Sequence, residues 1–410
     1  MGQRRHSHRA TSIAACLLLT VAFARTIVAQ ERVVAIGDVH GSFPQFVGIL
    51  QQVGLIDAHR KWIGGSATLV QTGDVPDRGP RTRDCLELLM ALEKEAPREN
   101  GKAIPLLGNH EVMAMLGDFR YISREDYASF ANDQSEAHRE EAYREFRTYV
   151  DASPRRRENF AADETASRQK WMEEHPLGFF ERRDAFGPQG FYGRWLRTHD
   201  AVVQVDDVIF LHGGLSPKFR FHDVHEVNER VRSEIQRFDE LWELLVAKKV
   251  VWRYMTFREA VAEIHAVLKA RAESGREAEQ SVAAREMREF AGIDDWAIIS
   301  PDGPLWYRGF GLDPETATQR YVDRTLARFN AKHIVVGHTA IDSRQIGLRL
   351  DNRVLFIDTN MIIDGRGGRT SALEIRNDTF TAFYSGGEQQ VLWAPNPSEA
   401  VPAAGRGGAN

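Results

Sequence analysis

The sequence predicts an α/β protein, and three patterns support this fold class. Five short apolar runs, each about as long as a buried strand, lead into tight turns that carry Asp, Asn or His beside glycine. Two charged segments between these runs place apolar residues at helical intervals. Three further apolar runs follow one another near the C-terminus and predict consecutive strands. In chain order the eight runs are Val33–Ile36, Thr68–Gln71, Ile104–Leu107, Val208–Leu211, His333–Val336, Val354–Asp358, Ser371–Ile375 and Thr379–Tyr384.

The N-terminus has the pattern of a secretory signal peptide. Three arginines among the first nine residues precede an apolar stretch, Ile13–Ala24, and small-residue cleavage sites are possible at Ala22–Ala24 and Ile27–Ala29. An uncleaved anchor is the alternative, but Arg25 interrupts the apolar stretch before the ~18–20 residues that a membrane span needs. We therefore expect residues 1–29 to be removed, and the mature protein to be exported, periplasmic or secreted, without stable membrane insertion.

Composition excludes several classes of function. With 53 basic and 58 acidic residues the formal net charge is −5, which argues against a nucleic-acid partner. Cleavage of the signal peptide would remove one of the two cysteines and leave Cys85, which lies in a helical pattern and is expected to be a small core residue. A cysteine-based phosphatase needs an activated thiolate in a phosphate-binding loop. No such loop surrounds Cys85.

The spacing of the turns predicts one catalytic domain over residues 31–393. Candidate ligands extend from Asp38 to His338, so that a single site would combine residues from most of the chain. The segments at about 117–199 and 219–298 are expected to be helical insertions, which either cover sheet edges or form a recognition surface around the site. Residues 394–410 are rich in Pro, Gly and Ala and are expected to form a disordered tail.

The turns after the strands predict a metal centre. Ligands of α/β sites gather beyond the carboxyl ends of strands, and carboxylate, amide and imidazole groups suit Mn, Fe or Zn. Asp74 is placed to bridge two divalent ions, because a shared carboxylate offsets the repulsion between them. The expected ligands are Asp38, His40 and His338 for the first ion, and Asn109 and His212 for the second, with Asp74 shared.

Residues beside these ligands match phosphoryl transfer. His110 can protonate a leaving oxygen as general acid, and Asp77 can keep its imidazole protonated. Arg78 and Arg308 each offer a planar fork for phosphate oxygens. Asn109 is expected to contact the phosphate as well as a metal ion. Two bound metal ions would supply the nucleophile by activating a water.

The turn motifs resemble those of the metallophosphoesterases, and more narrowly of the phosphoprotein phosphatase superfamily. The matching blocks, in order, are Gly37–Gly41, Gly73–Gly79, Gly108–Glu111, His212–Gly214 and Gly337–His338. Two further stretches, Gly117–Tyr121 and Pro304–Gly309, are similar to the Shewanella-like protein phosphatases. The resemblance implies a calcineurin-like β-sandwich of two mixed sheets flanked by helices in four layers, a dinuclear Mn, Fe or Zn centre and a tendency toward phosphotyrosine.

The chain departs from this family at two places. Pro76 replaces a bulkier residue in the second block, which affects the local loop shape because it is not a ligand. The stretch Asp358–Gly365 resembles the closing Asp-x-Gly strand only loosely, so its part in the rim of the site is left open.

The residues and the resemblance together predict a metal-dependent phosphomonoesterase. It would act on phosphorylated protein or peptide, with phosphotyrosine favoured, by direct attack of a metal-activated water. One alternative is a nucleotide or dinucleoside polyphosphate hydrolase, and another is a broad-specificity periplasmic phosphatase. A metal-binding scaffold without catalysis belongs to a different class, and the complete set of ligands and phosphate-contacting residues disfavours it. The sequence leaves the identity of the metals and the oligomeric state open.

Overall fold

A computed structural model describes residues 32–160, 164–275, 282–342, 344–362 and 368–394. The predicted signal peptide lies outside this range, as does the predicted tail beyond Ala394, so both stay predictions. Within the described range all eight apolar runs contain strands, and the third strand begins two residues before its predicted start. The strands are β1 Val33–Ile36, β2 Thr68–Gln71, β3 Lys102–Pro105, β4 Val202–Val205, β5 Val208–Leu211, β6 His333–Val336, β7 Gly347–Arg349, β8 Val354–Phe356, β9 Ser371–Arg376, β10 Thr379–Tyr384 and β11 Glu388–Trp393.

The strands form two mixed sheets. The first has the order β11-β10-β9-β1-β2-β3, with β1, β2 and β3 parallel. The second has the order β4-β5-β6-β8-β7, with β5, β6 and β8 parallel. Neighbouring parallel strands end in register, since Ile36 pairs with Gln71 and Leu211 with Val336. The loops that carry the candidate ligands therefore leave each sheet side by side, at the carboxyl ends of its parallel strands.

The two sheets pack face to face because successive side chains of a strand point to opposite faces. In β1 the side chains of Val33 and Ala35 join a buried cluster that includes residues of both sheets, whereas Val34 and Ile36 face a cluster on the helical side. A third cluster packs α14, Glu315–Phe329, against the outer face of the second sheet. The result is the predicted four-layer sandwich of helices, sheet, sheet and helices.

The two predicted insertions are helical. The helices α4 to α9 lie in the first insertion and α10 to α12 in the second. No helix within the described ranges combines the length and the apolar composition that a membrane crossing requires. The remaining helices are α1 Phe43–Gln52, α2 Thr82–Glu95, α3 Asn109–Leu116, α4 Arg124–Phe130, α5 Ser135–Asp151, α6 Pro154–Asn159, α7 Glu164–Glu174, α8 Phe179–Phe186, α9 Phe191–Leu196, α10 Val224–Ala247, α11 Phe257–Glu273, α12 Val282–Ala291 and α13 Gly309–Leu312.

The insertions pack on each other and on the scaffold. Side chains of α10 to α12 share a core cluster with those of α1 and α2, on the outer face of the first sheet. A separate aromatic cluster joins the first insertion to the start of the second, with Phe180 and Trp171 packed against Trp252. The helices therefore cover the sheet, which was one of the two roles expected for them. Their contact with the site is confined to particular side chains, described below.

Candidate metal centre

The ligand-bearing turns have an unusual backbone. His40, Asp74 and His338 have positive φ angles of 47°, 59° and 60°. This left-handed region is uncommon for residues other than glycine, although Asp and His adopt it more often than most. Such a conformation costs roughly 1–3 kcal/mol and persists only where the surrounding structure compensates for it. The turns are also tightly packed, because a Cβ atom at Gly337 would lie 2.5 Å from Asp38 Oδ1. Strained, densely packed turns of this kind are typical of functional sites.

One group of donor atoms forms around His40. Its Nε2 atom lies 3.8 Å from Asp38 Oδ2 and 3.6 Å from Asp74 Oδ2. The Nε2 atom of His110 lies 3.8 Å from the same Asp74 oxygen. His40, Asp74 and His110 offer donor atoms that all lie within 4.8 Å of one another, and all three side chains are buried. A divalent cation fits among these atoms.

A second group forms on the other side of Asp74. The Nε2 atom of His212 lies 3.2 Å from Asp74 Oδ1, 2.8 Å from Asn109 Oδ1 and 3.1 Å from His338 Nδ1. We expected His338 to complete the shell of the first ion, and that assignment is wrong. His338 follows β6, which pairs with β5, so it lies beside His212 at the end of the same sheet. Asp74 is common to both groups, as predicted from its position.

The histidines are oriented for metal binding. In each of His40, His212 and His338, one ring nitrogen contacts a backbone carbonyl oxygen, of Pro76, Thr72 and Trp306 respectively. A ring nitrogen that donates to a carbonyl fixes the tautomer and leaves the other nitrogen as a metal donor. The free nitrogen is Nε2 in two of the rings and Nδ1 in His338. All three point into the donor groups.

Glu111 supports the turn that carries Asp74, a role that the sequence analysis did not assign to it. Its buried carboxylate accepts hydrogen bonds from the backbone N–H groups of Asp74, Val75 and Gly108, at 2.8, 2.8 and 2.7 Å. Three backbone donors on one carboxylate fix the relative position of the second and third ligand turns. The signal was present in the sequence, since a Glu three residues after Gly108 is typical of a helix start.

Buried carboxylates crowd the site and shift the pKa values of their neighbours. Burial, followed by the neighbouring Asp358, raises the pKa of Asp38 well above its ordinary value. Burial and then Asp74 raise the pKa of Glu111. For His212, Asp74 and Asp38 outweigh burial and raise the pKa to about 9. Crowded buried carboxylates that hold a proton on a neighbouring histidine are what cations would neutralise. The donor set therefore fits two divalent ions.

His110, a member of the first donor group, also forms a buried pair with Asp77 through its other ring nitrogen. Nδ1 of His110 lies 2.8 Å from Asp77 Oδ2. Burial alone would lower the pKa of His110, but Asp74 and then Asp77 raise it above its ordinary value. Because bound cations would share the charge of Asp74, Asp77 is the carboxylate left to keep this imidazole protonated.

The donor groups open into a cleft of about 240 Å³. Arg78 and Arg308 are exposed at its mouth, and neither forms a salt bridge with an acidic side chain within the described part of the chain. The guanidinium of Arg308 is held in place by His338, since its Nη1 donates to the His338 carbonyl oxygen and its Nη2 lies 3.4 Å from His338 Nδ1. Both guanidinium groups border the cleft, where an anion can reach them. Asp358 also reaches the cleft, which gives the loosely matching Asp358–Gly365 stretch a place in its rim; residues 363–367 of that stretch lie outside the described range. The lining comprises Asp38, His40, Asp74, Arg78, Asn109, His110, Tyr121, Trp306, Arg308, His338, Ala340, Asp358 and Asn360.

The sequence analysis did not assign Tyr121 to the site. This residue belongs to the first insertion, its side chain is 43% exposed, and its ring centroid lies 5.2 Å from that of His110. The guanidinium carbon of Arg78 lies 5.3 Å from the centre of the same ring, and the backbone N–H of Arg78 donates to the Tyr121 carbonyl at 2.8 Å. The insertion thus supplies one aromatic wall of the cleft.

Comparisons with known proteins identify relatives over much of the chain. The chain is 33% identical to Shewanella-like protein phosphatase 2 of Arabidopsis thaliana over 209 residues, which cover 51% of this chain and 52% of that protein. It is 24% identical to Shewanella-like protein phosphatase 1 of Plasmodium berghei over 335 residues, 80% of this chain and 67% of the relative. An uncharacterized protein of Schizosaccharomyces pombe is 29% identical over 353 residues, 85% of this chain and 78% of its own.

The fold is similar to that of a cold-active protein-tyrosine phosphatase of a psychrophilic Shewanella species. The two share a TM-score of 0.54 and 21% sequence identity, over 88% of this chain and 80% of that one. The model of the calcineurin-like phosphoesterase family matches residues 31–342, which include every ligand turn of the two donor groups. This match covers most of the chain, and the protein therefore belongs to the calcineurin-like phosphoesterase family, as an enzyme that hydrolyses phosphate esters.

Proposed function

We propose that the protein is a dinuclear metal-dependent phosphatase that acts on phosphorylated proteins or peptides, with phosphotyrosine favoured. The observation that carries this proposal is the arrangement of the cleft, in which two donor groups share Asp74 beneath the guanidinium groups of Arg78 and Arg308. When bound, two divalent ions supply charge neutralisation for phosphate and lower the pKa of a nearby water. Asp38 and His40 would hold one ion, and Asn109, His212 and His338 the other.

The chain's own residues direct hydrolysis without a phosphoenzyme. Cys85, the one cysteine in the described ranges, is buried, and burial raises the pKa of its thiol, which makes it a poor nucleophile. This disfavours a phosphocysteine intermediate, and the proposal is that water attacks phosphorus directly. His110 Nε2 faces the cleft, while Asp77 holds the opposite nitrogen, so His110 donates its proton to the departing oxygen.

Arg78 and Arg308 would hold the phosphate in the cleft. Their exposed guanidinium groups match the oxygens of a phosphate monoester in geometry and in charge. The contact of Arg308 with the His338 carbonyl oxygen orients its guanidinium group beside the donor groups. Asn109 was expected to contact the phosphate as well as a metal ion. Its Oδ1 faces the donor groups, whereas its amide nitrogen, the atom that would donate to a phosphate oxygen, lies 3.7 Å from Met113 Sδ. The contacts of Asn109 therefore support a role as metal ligand only.

Replacing Arg308 by Met should lower kcat/KM for a phosphotyrosine peptide by roughly 10- to 100-fold. The variant loses charge-assisted hydrogen bonds worth ~1.5–3 kcal/mol, and ~1.4 kcal/mol corresponds to a factor of ten. Steady-state kinetics on the metal-loaded protein measure the change. Arg98→Met is a matched control, because Arg98 is an exposed arginine in the 3₁₀ turn Ala96–Glu99 and does not line the cleft. An unaltered kcat/KM in Arg308→Met would remove this arginine from phosphate binding.

The preference for phosphotyrosine is supported by Tyr121. Its exposed ring stands beside His110, where the leaving oxygen of the substrate would lie, and gives an aromatic leaving group a face to pack against. Aromatic pairs of this kind contribute ~0.5–1.5 kcal/mol beyond area burial. A phosphoserine side chain has no ring and would lack this contact. The names of the Arabidopsis and Plasmodium relatives support a protein substrate.

Replacing Tyr121 by Leu should reduce the ratio of kcat/KM for phosphotyrosine over phosphoserine peptides by about two- to tenfold, since the lost ring contact is worth ~0.5–1.5 kcal/mol. The matched control is Phe191→Leu, which changes an aromatic side chain that is 57% exposed and lies outside the cleft. Equal effects on the two peptides would show that Tyr121 does not select the leaving group.

A substrate panel tests the proposed function itself. The protein is loaded separately with Mn, Fe and Zn, and initial rates are measured on phosphotyrosine peptide, phosphoserine peptide and a dinucleoside polyphosphate. The proposal expects the highest kcat/KM on the phosphotyrosine peptide. A higher value on the dinucleoside polyphosphate would replace the proposal with its nucleotide alternative, and the absence of hydrolysis with every metal would favour a scaffold without catalysis.

A further inference from the structure

Arg182 is a fully buried cation that reaches the catalytic pair from the first insertion. It lies in α8 and its side chain has no solvent exposure. Its Nη2 atom donates to Asp77 Oδ1 at 2.5 Å, and its Nε atom donates to Asp126 Oδ2 at 3.1 Å. Arginine is almost never fully buried unless it is paired. Here one of its two partners is the carboxylate that holds His110.

The contacts of Asp77 divide between its two oxygens. Oδ2 lies against His110 Nδ1, and Oδ1 accepts from Arg182. Asp126 in turn accepts a hydrogen bond from the backbone N–H of Thr82 at 3.3 Å, and the Thr82 hydroxyl accepts one from the backbone N–H of Asp77 at 3.2 Å. The carboxylate plane of Asp77 is therefore set from one side by Arg182 and delivers its other oxygen to His110.

Stability alone is a weak explanation for this arrangement. Within the described residues the Nη1 atom of Arg182 has no hydrogen-bond partner. The guanidinium carbon lies 5.6, 5.7 and 4.8 Å from the ring centres of Phe119, Phe130 and Phe186. Cation–π attraction of this kind is weaker than the desolvation penalty of burying an ion. Buried ion pairs can often be replaced by apolar side chains without loss of stability, because the desolvation penalty offsets their attraction. The presence of a cation in such surroundings is better explained by its contact with the Asp77 carboxylate.

We propose that Arg182 is a positioning residue, which orients the Asp77 carboxylate toward His110 and so couples the first insertion to proton donation. This inference rests on the proposed function, because it assumes that His110 is the general acid. Without Arg182, Asp77 keeps its contact with His110 on one side only, and the carboxylate is free to rotate. A misplacement of about 1 Å in a catalytic group can cost ~10²-fold in rate.

The test is a comparison of leaving groups. A nitrophenolate departs without a proton, whereas phenolate, like tyrosinate, needs one, so loss of proton donation slows phenyl phosphate more than p-nitrophenyl phosphate. The quantity measured is the kcat ratio of p-nitrophenyl phosphate to phenyl phosphate on the metal-loaded protein. For Arg182→Met we expect kcat on phenyl phosphate to fall ~10²-fold and the ratio to rise about tenfold or more.

Arg183→Met is the matched control. Arg183 is the next residue of α8 and is also buried, but it contacts the Met115 carbonyl oxygen and the ring of Trp242 rather than Asp77. Its replacement removes a buried guanidinium from the same helix, and the kcat ratio should stay at the wild-type value. A ratio that rises equally in both variants would mean that any disturbance of α8 has this effect, and the proposal would be overturned.

A second variant guards against failure to fold. Arg182→Met leaves Asp126 as a buried carboxylate without a cationic partner. The double variant, Arg182→Met with Asp126→Asn, removes that charge and keeps a hydrogen-bond acceptor for the backbone N–H of Thr82. If the double variant is folded by circular dichroism and its ratio is raised, the inference stands. A folded variant, single or double, with the wild-type ratio overturns it.

His110→Asn, measured in parallel, separates this inference from the proposed function. If His110→Asn raises the ratio and the Arg182 variants do not, the general acid stands and the positioning role alone is overturned. If His110→Asn leaves the ratio unchanged, the proposed acid is wrong and the role of Arg182 falls with it.

Discussion

Replacing Asp74 by Asn should abolish metal-dependent hydrolysis. The Asp74 carboxylate takes part in both donor groups, so one substitution weakens both sites while the side-chain volume is nearly conserved. Two-metal charge stabilisation is worth several kcal/mol, and ~1.4 kcal/mol corresponds to a factor of ten, so we expect kcat to fall about 10³-fold or more. Metal content per chain, measured by inductively coupled plasma mass spectrometry after dialysis, should fall for both ions.

The control for this prediction is Asp239→Asn. Asp239 forms a two-point ion pair with Arg197, at 2.7 and 2.8 Å, and does not line the cleft. Its replacement should leave metal content and kcat unchanged even if thermal stability falls. An Asp74→Asn protein that retained two ions and the wild-type rate would contradict the shared-carboxylate centre.

Replacing His110 by Asn should lower turnover on phosphotyrosine peptide by about 10²- to 10⁴-fold, the usual contribution of a general acid. The asparagine side chain can keep a hydrogen bond to Asp77 but cannot deliver a proton. His110 Nε2 also lies near Asp74, within the first donor group, so a role as ligand competes with the role as acid. Metal content decides between them, and we expect it to match the wild type.

His199→Asn is the matched control for His110. His199 is likewise buried and lies 3.2 Å from a carboxylate oxygen of Glu93, but it is outside the cleft. Its replacement should not affect turnover. Loss of one ion from His110→Asn would reassign His110 as a ligand, and full activity in that variant would exclude both roles.

Most of the site could be predicted because it follows from strand periodicity. Each predicted ligand turn comes directly after a short apolar run, and parallel strands place their carboxyl ends at one edge. Local pattern therefore sufficed to choose residues such as Asp38 and Asn109. The edge strands β4, β7 and β11 were not predicted. β7 has only three residues, and β11 is half polar and exposed along most of its length, so neither carries a clear apolar run. β4 contains three valines in four residues and could have been predicted from its composition.

The assignment of His338 failed for a different reason. Which ion a ligand serves depends on which strands are neighbours, and this is decided by tertiary pairing rather than by local sequence. Because β6 pairs with β5 in the second sheet, His338 lies beside His212, while His40 follows β1 in the first sheet. Contacts such as that of Arg182 with Asp77 span 105 positions of the chain and had no local signal at all.

If two divalent ions bind as proposed, the carboxylate common to both donor groups links their loading thermodynamically. Capture of one ion fixes the orientation of Asp74 and takes up part of its charge, and these changes act in opposite directions on the affinity for the second ion. Whichever dominates, the factor by which the first ion alters binding of the second must equal the factor for the reverse order. Exchange of one metal for another at either position would therefore change the metal affinity of the other position.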